Sequence, residues 1–350
     1  TFYISGNMAI IFRLNSCNTA FATGIFMRKI ILLLTLLIAF IVKVEATGQQ
    51  TVTKLSSSEL MTSLTQKKWL HGAEDCSTNQ DPAIEVFQYD ESSYIVRQSK
   101  CLSYEAPFIY VFVGDKIILV VDTGATADKN EFPLYETVLS IQENHALTKQ
   151  DNSREIVVIH SHSHSDHYSG DSQFIGQENA TVVGTAEDDI NYFFSFKSWP
   201  TKLSEIDLGG RIITIIPTPG HQDQAISIYD SQTQWLLTGD TFYPGYIYVK
   251  NWQAYQESIS RLTDFASKHT VSAILGAHIE MKANGKEYYE IGTIYQPDEA
   301  SLVLQPEDLV ELNAVLSQMD DAGIITLDTL IVEPLGFLPK LISGVVGLFL

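Results

Sequence analysis

The sequence predicts a layered α/β domain, and three features of its patterning lead there. From about residue 84 onward, short apolar runs interleave with stretches of helical spacing. Each of the main runs stops at small or turn-forming residues, at Asp122-Thr123-Gly124, Pro219-Gly220, Gly239 and Gly276. The last three stops are each followed within two residues by a potential metal ligand, His221, Asp240 or His278. The composition is that of a globular chain: 45% of the 350 residues are hydrophobic, and no short repeat or biased tract is present. Acidic residues outnumber basic ones by 42 to 22, a net charge of −20, which argues against a nucleic-acid surface.

Residues 1–46 read as a processing segment. Met27-Arg28-Lys29 precedes an apolar run from Ile30 to Val42, and Val44-Glu45-Ala46 places small residues where a signal peptidase reads. The run is shorter than the roughly 20 residues of a membrane span and ends abruptly at Lys43 and Glu45. The residues ahead of Met27 read as an untranslated upstream segment. Cleavage near Ala46 would deliver the protein to a periplasm or to the outside of the cell. It would also remove Cys17 and move the net charge from −20 to −23, through loss of four basic residues and one acidic. The two cysteines left, Cys76 and Cys101, are candidates for a disulfide rather than two separate buried thiols. Closing that loop of about 25 residues would stabilise the fold by roughly 3 kcal/mol in the chain-entropy picture.

The mature chain follows in order. Strands are predicted at 84–89, 94–98, 108–113 and 116–121, with Gly114-Asp115 as the hairpin turn between the last two. The run Ile117-Ile118-Leu119-Val120-Val121 lacks alternation, which predicts burial on both faces. A helix over 133–144 carries Leu134, Val138 and Ile141 on one side, and a strand over 156–159 leads into the histidines. Strands at 211–216, 234–237 and 271–275 follow, the last preceded by a helix with Trp252, Tyr255, Ile259, Leu262 and Ala266 on one stripe. A final helix starts near Pro306, with Glu307 and Asp308 in its first turn, and ends before Gly323. No linker interrupts this stretch, so residues 47–323 read as one domain. Residues 324–350 read as an apolar C-terminal tail, open to docking on the domain, membrane association or self-association.

The chemistry lies at the strand ends. His162-Ser163-His164-Ser165-Asp166-His167 offers four metal ligands in six positions. In extended chain His162 and His164 point the same way and can reach one ion, while Asp166 and His167 serve a neighbouring one after a bend. Zinc accepts imidazole and carboxylate together, and a catalytic site keeps a position for water. The distant His221, Asp240 and His278 make a fortuitous histidine tract a poor explanation. His160 falls outside the pattern.

His162-x-His164-x-Asp166-His167, Gly220-His221, Gly239-Asp240 and His278 together resemble the metallo-β-lactamase superfamily in order and rough spacing, over about residues 116–278. The resemblance implies a four-layer αβ/βα sandwich with the site at one edge between two sheets. It implies that His162, His164 and His221 hold one metal, that Asp166, His167 and His278 hold a second, and that Asp240 bridges them. Two Zn2+ are the implied cofactors, with iron or manganese as other occupants. Asp122 matches the family's Asp-x-Gly turn beneath the site and is expected to orient a ligand. The implied activity is hydrolysis by a hydroxide bridging the metals, with Asp166 both ligand and proton handler. Family members that hydrolyse β-lactams with two zinc ions often carry Cys where Asp240 stands, so the aspartate favours the branches acting on esters, thioesters or lactones. β-Lactam hydrolysis remains the alternative, as does a non-catalytic periplasmic zinc-binding protein.

The expected partner is a small-molecule substrate, apolar or weakly anionic. Two aromatic stretches are candidate pocket walls: Tyr192–Phe196 with Trp199, and Phe242–Tyr248 with Trp252. Cationic grips are scarce, with Lys197, Lys202 and Lys250 as candidates, which disfavours polyanions. Glu280 is expected to be a solvated charge, with a structural tie to its loop as the other reading.

Overall fold

The computed structural model describes residues 55–149 and 154–336. The signal segment with its cleavage point at Ala46 and the tail from 337 onward lie outside the described residues. Among those described, no helix is long and apolar enough to cross a membrane.

The chain opens with helix α1 (Ser57–Thr65), capped by Ser56 and Glu59 in a reciprocal capping box. Strands β1 (Ile84–Asp90), β2 (Ser93–Gln98), β3 (Phe108–Val113) and β4 (Ile117–Val121) then form an antiparallel meander. Helix α2 (Leu134–Lys149) crosses over to β5 (Glu155–Ile159), which lies parallel to β4, and β6 (Ala180–Val182) completes this sheet. The second sheet runs β13-β12-β10-β9-β8-β7. Its strands are β7 (Ser204–Asp207), β8 (Ile212–Pro217), β9 (Ile226–Asp230), β10 (Trp235–Gly239), β12 (Ala273–Gly276) and β13 (Val303–Leu304). β10 and β12 pair in parallel, joined through strand β11 (Tyr246–Val249) and helix α5 (Trp252–Lys268). The short helix α3 (Ser165–Tyr168) lies between β5 and β6, α4 (Glu187–Phe194) between the two sheets in sequence, and α6 (Pro306–Leu316) follows the second.

Alternation along the strands assigns the layers. In β3, Phe108, Tyr110 and Phe112 join a core shared with Ile213, Ile215, Trp235 and Leu237 of the second sheet. Ile109, Val111 and Val113 point the other way, onto Leu134, Val138 and Ile141 of α2. In β10, Leu236 turns outward onto Tyr255, Ile259 and Leu262 of α5 and Leu309 and Leu312 of α6. The order is therefore helix, sheet, sheet, helices, the four-layer αβ/βα sandwich. A buried ion pair ties the two sheets together. Arg211 reaches Asp230 through Nε (2.8 Å) and Nη2 (2.7 Å), and the same guanidinium donates to the Ser92 carbonyl and the Ser93 hydroxyl, both at 2.8 Å.

Two of the departures from the expected layout bear on the core. β9, central in its sheet, has no counterpart in the sequence reading, because Ser231–Gln234 turn too tightly to separate it clearly from β10. The domain also runs past 323. β14 (Ile325–Thr326) and β15 (Ile331–Pro334) pair with each other, and β15 pairs with β11, with Leu330 and Val332 buried against α5 and α6. The first part of the apolar tail is thus core packing. Cys76 and Cys101 form the expected disulfide, with Cα atoms 5.3 Å apart.

Candidate metal centre

The ends of β4, β5, β8, β10 and β12 meet at one edge of the sandwich. β5 leads through a bent segment to Ser161, His162 and His164, and α3 brings in Asp166 and His167. β8 leads to His221, β10 to Asp240 and β12 to His278. Two glycines let these segments approach. A Cβ on Gly239 (φ +49°) would stand 2.6 Å from Cβ of Ser161, and one on Gly220 (φ +149°) 2.5 Å from Cα of Tyr255.

All seven predicted ligands converge, in two sets. His162, His164, His221 and Asp240 form one; Asp166, His167, Asp240 and His278 form the other. In the first, His164 Nδ1 lies 2.9 Å from His162 Nε2 and 3.1 Å from His221 Nε2, while Asp240 Oδ2 lies 3.7 Å from each of those Nε2 atoms. In the second, Asp166 Oδ2 is 3.1 Å from His167 Nε2 and 3.3 Å from His278 Nε2, and Asp240 Oδ1 is 3.6 and 3.4 Å from the same two. Asp240 therefore offers one oxygen to each set.

Neighbouring groups turn the rings inward. His221 Nδ1 donates to the Tyr248 carbonyl (2.7 Å) and His278 Nδ1 to the Glu105 carbonyl (3.0 Å). Asp122, at φ +69°, accepts the Ser161 N–H (2.7 Å) on Oδ1, and the Ser161 hydroxyl (2.8 Å) and His167 Nδ1 (2.9 Å) on Oδ2. Ser161 Oγ in turn lies 3.1 Å from His162 Nδ1. Four rings thus spend Nδ1 on an outward bond and present Nε2 to the centre.

Electrostatics divides the two sets. Burial and the neighbouring imidazoles hold His162 well below the ordinary histidine range, and His164 down to about 4. Burial opposes charge on His167 and His278 too, yet Asp166 and Asp240 overcome it, raising His167 well above its usual value and His278 to about 9. Burial also works against the charge on Asp166 and Asp240, but the histidines around them hold both carboxyls well below the usual range.

The donors fit a metal. Around a tetrahedral zinc, neighbouring donor atoms stand about 3.3 Å apart, and the separations above straddle that spacing. His167 Nε2 and Asp240 Oδ1 are buried without a hydrogen-bond partner, as ligand atoms awaiting a cation would be.

Residues 105–278 match the family model described as the metallo-beta-lactamase superfamily. The chain belongs to that superfamily. No curated protein matches it in sequence. Among solved structures it is similar to a metallo-beta-lactamase from Pontibacter korlensis, at 15% identity and a TM-score of 0.42, covering 67% of this chain and 100% of that one. It is also similar to an archaeal metallo-beta-lactamase superfamily protein from Sulfolobus tokodaii, at 17% identity and a TM-score of 0.37, covering 68% and 90%.

The superfamily site opens into a cavity of about 270 Å³ lined by Tyr104, Tyr243, Tyr246, Tyr248, Ile291 and Leu335, beside Glu105, Lys250 and Glu280. Of the two expected aromatic walls, Tyr243, Tyr246 and Tyr248 line it, whereas Phe242 and Trp252 are core. The other stretch does not reach the cavity: Phe194 is core, Phe193, Phe196 and Trp199 pack against that core, and Tyr192 is exposed. Lys197 and Lys202 are not among its lining residues either, and Lys250 is tied to Asp223 at 2.8 Å. Glu280 is no solvated charge. Its Oε2 accepts the Tyr246 N–H (2.7 Å) and the Tyr243 hydroxyl (3.3 Å), pinning β11 beside the site. His160 is a structural group, bound to Asp171 (2.8 Å) and the Val183 carbonyl (3.1 Å). Sequence reasoning missed Ser161 and the carbonyls of Glu105 and Tyr248. A main-chain acceptor leaves no residue-type signal, although a hydroxyl beside His162 was there to be read.

Proposed function

We propose that this protein is an exported hydrolase holding two zinc ions and cleaving an ester, thioester, lactone or amide-type bond. The observation that carries this reading is Asp240, whose two carboxylate oxygens face two separate donor sets. Zinc bound there supplies Lewis acidity and lowers the pKa of water to about 7. The protein's own part is positional. The outward Nδ1 bonds of His162, His167, His221 and His278 fix the rings before any ion arrives, so binding costs little reorganisation. Asp166 lines the cavity and is the carboxylate placed to take a proton from attacking water. The tyrosine wall receives the substrate's organic arm and excludes solvent from the bond being cleaved. Convergence of donors from distant segments of the fold, most of them buried, speaks against a scavenging protein, and the disulfide supports an oxidising compartment.

The test is a hydrolysis screen over nitrocefin, thioesters, lactones, aryl esters and phosphodiesters, with metal analysis and with chelator. Chelator-sensitive turnover of a carbonyl substrate is expected, together with its loss, and loss of metal, in Asp240→Ala. Undiminished turnover in that variant, or in excess chelator, would contradict the reading.

A further inference from the structure

The cavity beyond the ligands has a charge and surface that the sequence did not disclose. Its outer wall combines tyrosine rings and carboxylates with Ile291 and Leu335. Tyr246 and Tyr248 lie side by side with ring centroids 5.1 Å apart, and Tyr243 packs 5.7 Å from the His278 ring. Phenols are neutral at physiological pH, and their ring faces are electron-rich. Glu105 and Glu280 line the same cavity. Glu280 uses Oε2 for its two structural bonds, which leaves Oε1 for a ligand. Lys250 is the one lysine or arginine among the described residues lining the cavity, and Asp223 already holds it. Lys100, buried behind the wall with Nζ on the Tyr104 carbonyl (3.1 Å), offsets one of the two carboxylates but not both.

Neutral phenol faces beside two carboxylates, with one lysine held by Asp223 and the other behind the wall, attract an organic cation and repel an anion, because the ring faces and the carboxylates carry the same sign of potential. We infer that the substrate carries an ammonium-type positive charge on the arm extending from the scissile bond onto the Tyr246–Tyr248 wall, with Glu280 receiving it. This rests on the hydrolase reading above and narrows its substrate class, away from the apolar or weakly anionic molecule that the sequence suggested.

The experiment uses zinc-loaded protein and three esters with one leaving group, whose acyl arms end in trimethylammonium, its uncharged tert-butyl isostere or a carboxylate. The ammonium ester is expected to exceed the isostere by about tenfold in kcat/KM, with the carboxylate poorest. Glu280→Gln keeps an acceptor for the Tyr246 N–H and should erase most of that ratio. Tyr248→Phe should preserve it and Tyr248→Leu lower it, which separates a ring-face contact from a hydroxyl bond. Calorimetry with tetraethylammonium supplies a readout independent of turnover: saturable binding, weakened in Glu280→Gln. A preference for the isostere or the carboxylate, or an unchanged ratio in Glu280→Gln, would overturn the inference. If no compound of the wider hydrolysis screen is cleaved but the ammonium ion binds through Glu280, the hydrolase reading fails and the cation site alone stands. If the ammonium ion does not bind, this one fails whatever is cleaved.

Discussion

Replacing Asp122 by asparagine removes a charge while leaving shape and backbone almost untouched. Asparagine tolerates the φ of +69° at least as well as aspartate, so no strain is added. Of the three bonds the carboxylate accepts, the amide oxygen retains the Ser161 N–H. The new NH2 group faces the Ser161 hydroxyl, which can reverse and accept. It also faces His167 Nδ1, where two donors now meet and the bond is lost. A hydrogen bond to a charged acceptor contributes about 1.5–3 kcal/mol. His167 belongs to only one donor set, so the loss should fall on the second cation, by about 10- to 100-fold in affinity. Competitive chelator titration resolves the two affinities, and thermal melting of the metal-free variant checks that it is folded. Wild-type affinity for both cations, or an equal loss of both, would refute the argument that Asp122 acts through His167.

Three further outcomes follow from the same geometry. Gly239→Ala forces a methyl to within 2.6 Å of Ser161 Cβ at a left-handed φ, and should lower metal content far more than its roughly 1 kcal/mol of backbone strain would suggest, as metal analysis at matched folding would report. Replacing Cys76 and Cys101 together by serine should lower unfolding free energy by about 3 kcal/mol in urea titrations, and adding reductant to the wild type should reproduce that loss. Arg211→Met strands the buried Asp230 and should cost about 3–5 kcal/mol, whereas the double change to Met and Leu at these two positions should recover much of it.

How much could be read from the sequence depended on where the signal sat. Side-chain patterns carried far. The runs in β3, β4 and β5, the α2 stripe of Leu134, Val138 and Ile141, and the α5 stripe through Tyr255 and Leu262 all lie where their periodicity implied. The seven ligands were legible because five of them are histidines, of which the chain has only nine, and all seven fall in segments that follow strands. Short elements were not. β6, β13 and β14 are two or three residues long, and tertiary pairing rather than local preference makes them strands. The Tyr192–Phe196 stretch misled because aromatic residues serve a core and a pocket equally well, and only the fold decides which. Glu280 misled for the opposite reason. Its sequence neighbourhood gives no hint that the Tyr246 amide will arrive from 34 residues upstream.

Strand β11 serves two tasks through different atoms. The peptide carbonyl of Tyr248 steadies His221, while its phenol faces the chamber where a ligand would lie. Because the tether belongs to the main chain, any residue able to keep an extended conformation can stand there without loosening the imidazole. The lining of the chamber is therefore free to drift through side-chain replacement on that strand, generation after generation, while the donor cluster beneath it stays intact.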